Sequence, residues 1–272
     1  MTNTRSNTLV QNSILHSFHI LSCSPWPPVI GLSAFFIVFG LTGVRHNYNA
    51  GAVLFKRAIF LILIGLFHWC RDVIREATII GDHTTAVQSG LRSGWALFIV
   101  SEIILFAAFF WAQFAVSLVP IYSVSGVLMF ACMIVIDPWI IPGLNTILLL
   151  TSGRSFSTTQ GKFLVGSRVI ALVFFVYTLT CAIAFTGFQA YEYCYASFSI
   201  SDGAYGSCFY ILTGLHGFHV FVGTCLLVVA GMRRLASHFT LNVAVGFECA
   251  GWYWHFVDVV WLFLFVVLYI PS

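Results

Sequence analysis

Residues 93–111 read SGWALFIVSEIILFAAFFW, a run in which almost every side chain prefers hydrocarbon to water. An α-helix needs about 20 such residues to cross the ~30 Å core of a bilayer. Membrane β-strands instead alternate apolar and polar residues over segments of about ten. The stretch therefore predicts a spanning helix, and one residue in it, Glu102, needs a separate explanation.

The rest of the chain repeats the pattern. Of its 272 residues 60% are hydrophobic, 17% aromatic and 8% charged, where a soluble domain carries about 25% charged residues. Apolar windows bounded by charge, Pro and Gly fall near 26–44, 50–69, 94–118, 139–159, 163–190, 204–232 and 247–270. The expected fold is all-α: a polytopic bundle of seven transmembrane helices forming a single membrane domain over 1–272. The apolar segment 121–136, caught between Pro120 and Pro138, is short for a span and is read as a connection. Seven spans with the N-terminus inside place nine basic residues (Arg5, Arg71, Arg75, Arg92, Arg154, Lys162, Arg168, Arg233, Arg234) on one side and three (Arg45, Lys56, Arg57) on the other, as the positive-inside rule requires. Counting 121–136 as an eighth span gives eight against four, so charge alone leaves the count open.

The net charge of +3 is spread thinly, with no block that could track a phosphate backbone, so nucleic acid is not an expected partner. The eight cysteines form no CxxC pair and mostly sit in apolar runs, where Cys acts as a small hydrophobe.

Ionisable groups inside the spans carry the functional question. An ionised carboxylate at the depth of Glu102 costs on the order of 2.5–3.5 kcal/mol, so it must be neutral, paired or functional. A protonated Glu102 bonded to a neighbouring helix is one account, and proton handling is the other. His216 and His219, in TGLHGFHVFVG (213–223), lie three apart on one helical face, as do His255 and Asp258 in GWYWHFVDVVWLFLF (251–265). Lipid offers them no partner, so these faces should turn toward other helices or another subunit. A di-metal bundle with Glu102 as a bridging ligand is an alternative, but such sites use Glu-x-x-His on two helices, and this chain offers His-x-x-His and His-x-x-Asp. In CRDVIREAT (70–78) two basic and two acidic groups stand just past a span. They suit either lipid headgroups or mutual pairing on a solvated helix end.

Six stretches in their spacing, HSFHILSCSPWP (16–27), WCRDVIREAT (69–78), SEIILFAAFFWA (101–112), SDGAYGS (201–207), LHGFHV (215–220) and WYWHFVDVVWLFL (252–264), resemble subunit III of the mitochondrial-type haem–copper oxidases. The likeness begins near residue 16, which leaves little to cleave from the polar N-terminus, so an uncleaved start is expected. The resemblance implies that the first two helices splay from the last five, leaving a V-shaped cleft filled with phospholipid. It implies no redox metal and no catalytic residue in this chain, with haem a, haem a3 and copper held by partner subunits I and II. The family's buried carboxyl, reactive toward carbodiimides, falls on Glu102. Headgroup contacts of the cleft lipids fall on Arg75, Glu76, Thr78, His83 and Arg233. The implied role is to brace subunit I, sustain its proton uptake and keep the enzyme alive through turnover, in the mitochondrial inner membrane. Accessory subunits and a respiratory supercomplex are further partners it allows.

The chain departs from that pattern in three places. Val243 and Ala244 follow HFTLN (238–242) where the family often has two histidines. Cys70 replaces the second of two tryptophans, and 121–141 is apolar where commoner members have a polar, Pro-rich loop. Two rivals stand beside this reading: subunit III of a quinol oxidase, and an independent proton-coupled transporter using Glu102 with His216 or His219 as a relay.

Overall fold

The structure, a computed structural model, describes residues 17–21, 23–118, 137–238 and 244–270. The apolar connection 121–136 and the altered positions after His238, up to Val243, lie outside the described residues.

Among the described residues there are seven long α-helices and no strand: α1 (Trp26–Arg45), α2 (Asn49–Arg75), α3 (Thr85–Leu118), α4 (Ile141–Leu164), α5 (Arg168–Tyr195), α6 (Gly203–Leu235) and α7 (Val245–Leu264). The last turns of α2 and α7 widen into π-helical segments, Glu76–Ile80 and Phe265–Tyr269. All except α4 are long and apolar enough to cross a membrane, which makes six candidate spans among the described residues on length and composition. The departure of α4 has a plain cause. Between Asn145 and Lys162 it carries Thr146, Thr151, Ser152, Arg154, Ser155, Ser157, Thr158, Thr159 and Gln160. Most of these hydroxyls bond back to carbonyls of their own helix: Thr159 to Ser155, Thr158 to Arg154 and Ser152 to Leu149. Such pairing lowers the cost of placing a hydroxyl away from water.

The chain divides into two compact units, 1–91 and 92–272. In the first, α1 opens on Trp26-Pro27-Pro28, prolines that occupy positions whose N–H has no helical partner. It ends at a tight turn in which Asn47 takes φ 58°, a left-handed conformation that Asn tolerates better than most residues. The chain returns as α2 with its backbone almost touching α1. A Cβ at Gly51 would lie 2.6 Å from the Gly43 carbonyl carbon, and one at Gly40 would lie 2.7 Å from the Phe55 amide nitrogen. In a bilayer, where lipid removes most of the hydrophobic incentive for helices to associate, such close backbone contact is a main source of attraction. Gly51→Val should therefore push α1 from α2 and cost about 1–3 kcal/mol, seen as a lower midpoint for thermal unfolding in detergent.

The second unit has an aromatic core of Phe156, Phe185, Phe209, Trp254, Trp261 and Tyr269, all fully or almost fully buried. Rings of one helix rest on glycines of the next. Phe175 of α5 lies against Gly231 of α6, Trp254 of α7 against Gly223 of α6, and Phe156 of α4 against Gly251 of α7. Interhelical hydrogen bonds set the register of α4 on α7: Trp261 Nε1 donates to Thr146 Oγ1 at 2.9 Å and Trp254 Nε1 to Ser152 Oγ at 3.1 Å. Low residue numbers in α4 meet high ones in α7, so the two helices run antiparallel side by side. Helix α4 stops at Gly166, whose φ of 83° lets the Ser167 N–H reach back to the Lys162 carbonyl at 3.0 Å.

Candidate functional site

Glu102 of α3 meets His219 of α6, with Oε2 2.8 Å from Nε2. The other ring nitrogen, Nδ1, lies 2.8 Å from the Leu215 carbonyl. A carbonyl only accepts, so Nδ1 carries a hydrogen, and the short Nε2–Oε2 contact needs one more proton between its two atoms. That proton sits either on the carboxyl, facing a neutral imidazole, or on the ring, facing a carboxylate. Both arrangements have zero net charge, which is how a membrane interior accommodates two ionisable groups. Phe106 presents its edge to the imidazole at 5.0 Å, Tyr253 stacks beside it at 6.1 Å, and Phe256 closes a third side. The ring side chain is only 6% exposed.

His216, one turn earlier on α6, turns elsewhere. Its Nε2–H points to the Val257 carbonyl of α7 at 3.2 Å, between Phe185 and Trp261. The shared face of the two histidines thus serves two different neighbours, α3 and α7.

The second pair also divides. Asp258 is buried beneath α4, where Gly153 makes room for it: a Cβ at that position would overlap the Asp258 carboxylate. His255 keeps 41% of its side chain exposed. Its Nε2 lies 3.1 Å from the Ser157 hydroxyl of α4, and its Nδ1 is 3.8 Å from Asp258 Oδ2. Among the described residues no group of three or more His, Cys, Asp or Glu is placed to hold a metal ion.

In the first unit the charged end of α2 is tied to the first residue of α1 and to the chain before it. Trp26 Nε1 donates to Asp72 Oδ2 at 2.6 Å, and Arg71 grips Asp72 Oδ1 with two nitrogens at 2.8 and 3.0 Å. His19 stands 3.6 Å from Glu76 and 3.5 Å from Asp82. Thr78 donates to the Ile74 carbonyl at 2.6 Å, and the His83 carbonyl accepts from Gln88. Arg75 is exposed. Arg233 belongs to the second unit, half-buried in the last turn of α6, beside Arg234, whose guanidinium lies 4.7 Å above the Phe163 ring.

Two polar features are absent from the sequence reading. Glu192 of α5 is 3% exposed and accepts from Tyr269 at 2.6 Å and from Gln189 at 3.3 Å. The signal was available, a carboxylate among tyrosines in AYEYCY (190–195), just past the apolar window that ends near residue 190. Arg92 pairs with Glu248 at 2.9 Å and thereby joins α3 to α7.

Sequence comparison gives this architecture a lineage. A family model described as cytochrome c oxidase subunit III matches residues 16–272. The chain is 49% identical to cytochrome c oxidase subunit 3 of Pylaiella littoralis over 93% of both chains. It is 47% identical to that of Arabidopsis thaliana, over 93% of this chain and 96% of the other. Against the protein of the same name from Cyanidium caldarium it is 48% identical, covering 96% and 97%. With one family model covering nearly its whole length and relatives close to half identical, this chain, with its paired membrane carboxylate and its aromatic helical core, belongs to the cytochrome c oxidase subunit III family.

Proposed function

We propose that the chain is a non-redox core subunit of mitochondrial cytochrome c oxidase, the terminal respiratory complex that reduces O2 to water with electrons from cytochrome c and pumps protons. In the inner membrane it stabilises subunit I, holds phospholipid and supports proton uptake. Its first two helices form one group and the remaining five another. The observation that carries this reading is the closed Glu102–His219 pair. The two groups satisfy each other, His219 is further fixed by its own helix, and their combined charge is zero. A transporter's relay needs an exchangeable path, whereas a supporting wall needs its polar groups tied.

Helix α4 is the seventh span in this reading, despite its polarity. It lies antiparallel along α7, itself apolar enough to cross the bilayer, and its 24 residues reach about 36 Å at 1.5 Å per residue.

Purification in mild detergent tests the assignment. Co-purification of the chain with haem a and copper is the expected result, and a lone chain that drives solute flux in liposomes would support the transporter instead. The lipid role has its own test. Arg75→Leu combined with Arg233→Leu removes two cations suited to phosphate headgroups, so phospholipid retained by the purified complex should fall. Unchanged lipid content would remove that part of the proposal.

A further inference from the structure

We infer that the face of α4 centred on Arg154 is the docking surface for a transmembrane helix of another subunit, one that presents a carboxylate to this arginine. The inference rests on the oxidase reading and on α4 crossing the membrane beside α7. Arg154 lies thirteen residues from Ile141 and ten from Leu164, the ends of its helix. The nearer end is thus about 15 Å away along the axis, farther than an arginine side chain extends, so the charge cannot snorkel to the headgroups as Lys and Arg near helix ends do. The register with α7 gives the same depth. Thr146 meets Trp261 and Ser152 meets Trp254, which brings Arg154 level with the residues around Tyr253, inside the span Val245–Tyr269.

Arg154 is exposed, and among the described residues no carboxylate lies within ion-pair distance of it. The acidic groups of α7 are committed elsewhere, Glu248 to Arg92 and Asp258 to the pocket over Gly153 beside His255. The charge cannot be discharged within the span, because an arginine stays protonated in proteins. At a helix centre it would cost on the order of 2.5–3.5 kcal/mol, and about a third of the way in an opposite charge from a partner offsets the cost that remains. The rest of the face suits a helix. Ile147, Leu150, Arg154, Ser157 and Gly161 recur every three or four residues and are all exposed. Small residues at Ser157 and Gly161 allow close backbone approach. At the edge of this stripe the half-exposed His255, held by Ser157, adds a second polar contact.

The test uses the intact complex carrying Arg154→Lys, treated with a membrane-permeant carbodiimide, which joins an amine to a carboxyl within contact distance with loss of water. The expected product is an amide linking position 154 to an Asp or Glu in a membrane segment of another subunit, identified by mass spectrometry. In parallel, Arg154→Leu should reduce retention of this chain in the detergent-washed complex by about tenfold or more, as loss of a buried ionic partner does. If the position faced lipid alone, leucine would leave retention unchanged or raise it. No cross-link, a cross-link only to lipid or to a second copy of this chain, or full retention of Arg154→Leu would overturn the inference. Failure of the oxidase reading looks different: the unaltered chain would then purify without haem.

Discussion

Replacing His219 with leucine should destabilise the second unit by about 3 kcal/mol or more, because Glu102 is left without its partner in a site built from Phe106, Tyr253 and Phe256. Adding Glu102→Leu should recover most of that loss, since removing both members of a buried ionic pair is often neutral or stabilising. The cycle separates the worth of the contact from the penalty of an orphaned group. Thermal release of this chain from the purified complex measures it. Two single variants that each cost little, with additive effects, would mean that the pair is not a mutual dependency.

Trp254→Ala should be as damaging, at about 3–5 kcal/mol. The ring is fully buried, lies against Gly223 of α6 and donates to Ser152 of α4 at 3.1 Å, so one side chain joins three helices. Trp254→Phe keeps most of the volume and loses the donor, for which about 1 kcal/mol is expected. The gap between the two variants, read from unfolding midpoints in the same detergent, measures how much of the core depends on packing rather than on the hydrogen bond. Equal effects would show that the Ser152 bond dominates.

The placement of six spans was legible because hydropathy over about 20 residues is a local property of the chain. Glu102 stood out for the same reason, a carboxylate with no water nearby. Its partner was narrowed only to His216 or His219, as the relay of the transporter alternative; which of the two meets Glu102 follows from packing between helices more than a hundred residues apart, which no periodicity records. The i, i+3 rule placed His216 and His219 on one face, but a face about 100° wide on a crowded helix can serve two neighbours, and here it does. Arg154 was read as a span-end charge on the assumption that the fourth span stops near residue 159. The helix continues to Leu164, because Ser and Thr side chains that look like loop residues bond back to their own helix. Gly153 carried no signal of its own, and its meaning appears only when Asp258 is seen against it.

The split of roles between the two units gives the account its physical content. In the second unit Glu102, His216, His219 and Trp254 are tied to other helices, while the charged end of α2 holds Arg75 exposed beside a fixed framework of Trp26, Arg71 and Asp72. In the proposed role, such a chain stabilises its neighbours and retains lipid without taking part in electron transfer.

The most direct test of that claim is sustained oxygen consumption by the purified complex after selective removal of this chain, followed alongside its haem spectrum. The account predicts an unchanged haem spectrum and an initial rate largely retained, followed by inactivation well before the intact complex fails. Loss of haem with the chain, or an undiminished working life without it, would contradict the account.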